Sequence, residues 1–333
     1  MPYGLRRLGR PSVTPGSRFR HESHAHYTGG MGPAWLRGVF PPIATPFQAD
    51  GTLGAPVAPF LEHLRDAGLD GVVALGSNGE AAALSDRERI EWIQALRLAL
   101  PPRLRLLAGT GAESTRQTIE RTQAAAAAGA ECALVITPSF YRRDLVPADF
   151  HDHYTAVAGE SPIPILVYNV PQLTGVDLPA EWFLELPAHP RIAGIKDSSG
   201  NLDKLARVRQ GRPDLVLLPG VGAQLAEAMA LGADGAIPAL ANLAGAGCTA
   251  IRRAASGGDE STARRLQAAL KPLATWLSGG GAIARLKAGL AELGFDHGLP
   301  RAPLRPAAAE ERGEIRTLLA DAGLLSHAVP RAT

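Results

Sequence analysis

The chain has 333 residues, a formal net charge of +2, 46% hydrophobic residues and only 5% aromatic ones. That length suits one large domain or two ordinary ones, and the near-neutral charge gives no electrostatic footprint for a nucleic-acid partner. Two cysteines, Cys132 and Cys248, are too few for a disulfide framework, and no apolar run approaches the roughly 18 residues of a membrane helix. The expectation is a soluble protein of a reducing, cytoplasmic compartment.

Residues 1–35 are rich in Arg, Gly and Pro, with Glu22 the one acidic residue. The stretch reads as a disordered or targeting-like tail. Organellar import and a translation start at Met31 are both compatible with it. His21, His24 and His26 could touch a metal, but nothing in their surroundings fixes a geometry.

From Gly38 onward, short apolar runs alternate with longer stretches of helical periodicity. Eight runs have strand length: 38–47, 71–76, 105–109, 133–137, 164–169, 192–197, 215–220 and 235–240. Between them lie predicted helices such as 85–100, 114–128 and 222–231. Ser85 and Glu88 have capping-box spacing, and Ser114 is placed as a helix N-cap. Strand–helix alternation implies a parallel sheet covered by helices. Eight units predict an α/β chain folded as a (β/α)8 TIM barrel over 36–240. An open doubly wound sheet stays possible on strand count alone, although no G-x-G-x-x-G follows the first run. Residues 241–325 carry only helical signals and are predicted to form a C-terminal helical extension, with 326–333 as a tail.

In such a barrel the chemistry sits at the C-terminal ends of the strands. Three predicted ends carry polar groups: "GSNGE" (76–80), "YNVP" (168–171) and "KDSSG" (196–200). Side chains alternate along a strand, so Lys196 and Asp197 should point to opposite faces. With Lys196 inward, Gly194 and Ile192 should also face inward, and Ala193 and Ile195 outward. An amine there could attack a carbonyl to form a Schiff base; it could equally be a solvated lysine at a strand end. Tyr168 lies one strand–helix unit earlier, close enough on a neighbouring strand to carry protons for such an amine. A rim tyrosine of the core is the alternative. The "GSNGE" turn could present backbone N–H groups to a carboxylate, or be an ordinary glycine-rich turn. His151 and His153, two apart on a predicted helix, should diverge, which disfavours a metal pair.

Together with "LLAGTGAEST", "VITPSFY", "TGVDLP" and "GAIPALAN", these strand ends resemble the pyruvate-dependent Schiff-base aldolase family that contains dihydrodipicolinate synthase and N-acetylneuraminate lyase. The resemblance spans about 36–325. It implies that Lys196 forms an imine with the keto carbon of a small 2-oxo acid and that Tyr168 acts as general acid and base. It also implies that Ser77, Asn78 and Gly79 bind the substrate, with Ile237 supplying a backbone carbonyl near the lysine. The iminium is the electron sink, so no metal or organic cofactor is expected. A homotetramer or homodimer is implied as well.

The departures bear on the substrate. Where the synthases carry an arginine for the second substrate, this chain has Leu173. Where they use two threonines it has Ser77 and Asn78, and where a neighbouring subunit supplies a tyrosine it has Phe140, with Tyr141 adjacent. An aliphatic chain cannot replace a guanidinium. The motifs look more like 4-hydroxy-2-oxoglutarate aldolases, in which Asn78 and Ser198 would contact the far end of the substrate. Dihydrodipicolinate synthase and 2-keto-3-deoxy sugar-acid aldolases or dehydratases are the alternatives. A non-catalytic scaffold is disfavoured because lysine, tyrosine and glycine loop are all present.

Overall fold

A computed structural model describes residues 32–325. The predicted tail falls largely outside this range, as do residues 326–333. The last residues of the predicted tail are folded: Ala34–Leu36 form a short 3-10 turn and the Leu36 side chain is buried.

Six apolar runs pair as one parallel sheet in chain order: β1 (Gly71–Ala74), β2 (Arg105–Gly109), β3 (Cys132–Ile136), β4 (Ile165–Asn169), β5 (Ile192–Asp197) and β6 (Val216–Pro219). They are apolar on both faces because both faces are covered. Two of the eight predicted runs, 38–47 and 235–240, appear as isolated bridges rather than strands: Val39 pairs with Ala236 and Pro42 with Val73, both parallel. Pro41, Pro42 and Pro46 in the first run and Pro238 in the last lack the N–H that a continuous ladder needs.

These two segments nevertheless join the sheet's edges. Ile237 N–H donates to the Pro219 carbonyl, Phe40 N–H to Ala236 and Val73 N–H to Pro41, all at 2.9–3.0 Å. The eight parallel segments thus close into a ring, each followed by a helix, as the alternation predicts. Alternate side chains fill the interior, among them Phe40, Leu107, Leu134, Leu166, Val216 and Leu218.

One alternation expectation fails. The β4–β5 register shifts between Ile165↔Ile192 and Leu166↔Gly194, leaving an extra residue in β5. A bulge of this kind reverses the facing of the residues before it. Ala193 therefore packs in the interior cluster and Ile192 in the outer one, the reverse of simple alternation. Beyond the bulge the period is regular.

The helix Gly245–Ser256 follows the eighth ring segment and meets the end of the helix Ala58–Asp66 that follows the first: Thr249 Oγ1 donates to the Ala67 carbonyl at 3.0 Å. Helices Glu260–Trp276, Ala282–Glu292 and Ala309–Asp321 come after it. Leu270, Leu286 and Ile315 from these three share one core with Val72 and Leu106 of the sheet. No described helix is long and apolar enough to cross a membrane.

Candidate active site

Tyr168 and Lys196 are register partners across β4 and β5. Both are 3% exposed, and the Lys196 Nζ sits 4.1 Å from the centroid of the Tyr168 ring. An aromatic face attracts a cation but supplies no proton acceptor to hold it. Lys196 makes no ion pair with a described residue, which is unusual for a buried lysine.

Asp197 does point away from it. Its carboxylate lies 3.0 Å from Lys204 Nζ and accepts a hydrogen bond from Asn169 Nδ2 at 2.9 Å. Asn169 also donates to Asp177 and accepts from the Leu178 N–H at 3.0 Å. This polar network on the outer side ties the ends of β4 and β5 together directly behind Tyr168 and Lys196. Sequence spacing does not reveal it, since its members come from four separate segments.

Across the mouth, Ser77 Oγ and the Tyr168 hydroxyl share a hydrogen bond of 3.2 Å. The loop carrying Ser77 starts at Leu75, whose φ is +56°. Gly109 permits that conformation, because a Cβ there would lie 1.9 Å from the Leu75 carbonyl oxygen. Within the loop, Gly79 and Glu80 N–H groups donate to Gly76 and Ser77 carbonyls at 3.1 Å. The Ser77 and Asn78 N–H groups donate to no described residue. Both residues are half-buried and Gly79 is buried. Thr45 Oγ1, which the sequence does not single out, donates to the Gly79 carbonyl at 2.6 Å.

The remaining candidates divide. Ser198 is brought to the lysine: a Cβ placed on Gly220 would lie 2.1 Å from Ser198 Oγ and 3.4 Å from Lys196 Cε. A glycine at 220 thus lets the serine and the lysine approach. The Ser198 carbonyl accepts from Gln172 Nε2 at 2.9 Å. Ile237 is buried, and its carbonyl accepts no hydrogen bond from a described residue. Tyr141 lies away from Ser77 and Tyr168 of its own chain. It is 62% exposed, stacks edge-on against Phe140 at 5.0 Å, and makes no hydrogen bond to Ser77 or Tyr168. Leu173 is 63% exposed. His151 and His153 share the helix Pro147–Glu160 but have separate partners, the Trp182 carbonyl and Thr115 Oγ1. Among the described residues no group of three or more His, Cys, Asp or Glu side chains is placed to hold a metal ion.

A lysine, a phenol and a hydroxyl converging at a barrel mouth agree with what comparison with known proteins finds. Residues 35–322 match the model of the dihydrodipicolinate synthetase family. A 4-hydroxy-tetrahydrodipicolinate synthase from Xanthomonas axonopodis pv. citri (strain 306) is 37% identical over 289 residues, 86% of this chain and 95% of the relative. An uncharacterized DapA-like lyase of Halobacterium salinarum is 36% identical over 306 residues, 91% and 99% of the two chains. The chloride-inhibited dihydrodipicolinate synthase from Acinetobacter baumannii, solved with pyruvate, superposes with a TM-score of 0.81 at 32% identity, over 86% of this chain and 99% of that one. The chain belongs to the dihydrodipicolinate synthetase family and is a pyruvate-dependent lyase of it.

Proposed function

We propose that the protein cleaves a 4-hydroxy-2-oxo acid through an imine on Lys196, with 4-hydroxy-2-oxoglutarate as substrate and pyruvate and glyoxylate as products. The observation that carries this reading is the buried Lys196 amine against the Tyr168 ring, with the tyrosine hydroxyl tied to Ser77.

In the proposed cycle the amine attacks C2 of the substrate. The Tyr168 hydroxyl protonates the carbinolamine oxygen, and water leaves as the iminium forms. The Tyr168 phenolate takes the proton of the 4-hydroxyl, the C3–C4 bond breaks and glyoxylate departs, the electron pair passing into the iminium to give an enamine. Protonation at C3 and hydrolysis release pyruvate and the free amine. The unpaired Ser77 and Asn78 N–H groups receive the C1 carboxylate, and the loop from Ser77 to Gly79 forms that end of the pocket. We assign the Ile237 carbonyl to the surroundings of the lysine, and the Asn78 side chain, as distinct from its N–H, together with Ser198 to the far end of the substrate. Within one chain the relay runs through Tyr168 and Ser77. No metal or organic cofactor takes part. The working form we propose is a homodimer or homotetramer in the cytoplasm.

Leu173 stands where the synthases carry the arginine for their second substrate, and an aliphatic chain cannot supply that guanidinium's paired donors; the far carboxylate of 4-hydroxy-2-oxoglutarate is assigned instead to Asn78 and Ser198. The relatives favour a second reading: the Xanthomonas protein is named a 4-hydroxy-tetrahydrodipicolinate synthase, which would make this chain condense pyruvate with aspartate semialdehyde.

One pair of assays separates the two. Pyruvate release from 4-hydroxy-2-oxoglutarate, followed with lactate dehydrogenase, is expected to be fast in the wild type and abolished in Lys196→Ala. Efficient turnover of aspartate semialdehyde with pyruvate, and none of 4-hydroxy-2-oxoglutarate, would replace the proposed substrate with the synthase reaction.

A further inference from the structure

The 76–80 loop is held by more than its own turn. Glu80 has a left-handed backbone with φ +54°, and Leu75, at the other end of the loop, has φ +56°. Neither is glycine, and each pays a steric penalty in that region. Such conformations persist only where the surroundings over-determine them. Here the constraint comes from the far end of the chain. Glu80 Oε1 lies 2.8 Å from Nζ of Lys287, on the helix Ala282–Glu292, as a close charge contact off the ideal hydrogen-bond direction. The two side chains are 0% and 2% exposed.

Further contacts brace the same point. The Glu80 Oε2 accepts the Arg301 N–H at 2.8 Å. Lys287 Nζ donates to the Leu299 carbonyl at 2.9 Å and stands 4.4 Å from the centroid of the Phe47 ring. The Arg301 guanidinium lies 4.3 Å from the same ring centroid and pairs with Glu88. Burial is the largest influence on Lys287 and draws its ammonium below the ordinary lysine range, against the pull of Glu80.

A fully buried ion pair contributes little net stability, because desolvation offsets the attraction, and apolar replacements are often as stable. Stability is therefore a poor reason for a charge pair here, whereas geometry is a good one. We propose that Glu80 and Lys287 are positioning residues for substrate: their ion pair holds the 76–80 loop in the strained conformation that aims the Ser77 and Asn78 N–H groups at the substrate carboxylate. This rests on the carboxylate role given to that loop above. It makes the C-terminal helix part of the binding apparatus although it touches no substrate.

The test is the pyruvate dependence of borohydride trapping in three proteins: wild type, Lys287→Met, and the double variant Glu80→Gln/Lys287→Met. The single variant leaves a buried carboxylate uncompensated and can unfold, so the double variant decides. Gln at 80 keeps an acceptor for the Arg301 N–H, and both charges are gone. The half-saturating pyruvate concentration is expected to rise about tenfold in the double variant, with the plateau trapping rate within about twofold of wild type and thermal stability retained. An unchanged half-saturation, or a fall in plateau rate alone, would overturn the positioning role and leave the imine reading standing. Failure of the wild type to trap pyruvate would remove the site reading and this inference together.

Discussion

His153 is a buried histidine with one partner: Nδ1 meets Thr115 Oγ1 at 2.9 Å, and Nε2 has none. Burial lowers its pKa to about 4, and the opposing influence of Glu113 is smaller. Above the ordinary value near 6.5 the ring is neutral in folded and unfolded chains, so it adds no pH dependence. Between 6.5 and about 4 only the unfolded chain takes the proton, and stability falls as pH falls, by up to about 3 kcal/mol. Denaturant unfolding at pH 7 and pH 4.5 should show a smaller acid loss for His153→Gln than for wild type; equal losses would place the acid sensitivity elsewhere. At this scale the sequence is informative where groups lie one strand–helix unit apart. Tyr168 and Lys196 meet because neighbouring parallel strands and a period of two bring them together. Glu80 sits in plain view within "GSNGE", but nothing in the spacing points to Lys287, which reaches it from the last quarter of the chain.

Helix Asp86–Ala99 illustrates how far local signals reach. Its capping box is formed as the spacing predicts, with Ser85 Oγ accepting the Glu88 N–H at 3.3 Å and Glu88 Oε2 accepting the Ser85 N–H at 2.9 Å. Ser85→Ala should cost about 1 kcal/mol in thermal or denaturant unfolding; no loss would mean the cap is held by other contacts. Glu88 serves a second purpose that local reading misses. Arg301 beside it, more than any other influence, holds its carboxyl down to about 2, well below the usual carboxylate range. The strand β5 shows another limit. Its existence and its final lysine are legible, but the bulge near Ala193 is not, because a register shift is decided by the partner strand.

For the whole molecule, alternation of strand and helix is a global pattern written locally, which is why eight units and a parallel barrel can be read from one chain. Closure depends on backbone hydrogen bonds between 38–43, 71–74 and 234–237, and prolines thin these to bridges without opening the ring. The ring puts the ends of β4 and β5 and the 76–80 loop around one mouth. The proposed imine accounts for why a lysine without an ion-pair partner among the described residues is buried there. In the proposed reaction Ser198 meets the far end of the substrate, a contact that no periodicity encodes.

In the proposed reaction the Lys196 amine forms the covalent intermediate. Its most direct measurement is mass-spectrometric mapping of the wild-type protein after incubation with pyruvate and borohydride. One reduced pyruvate adduct, located on Lys196, is expected. An adduct confined to a different lysine, or unmodified protein at saturating pyruvate, would contradict it.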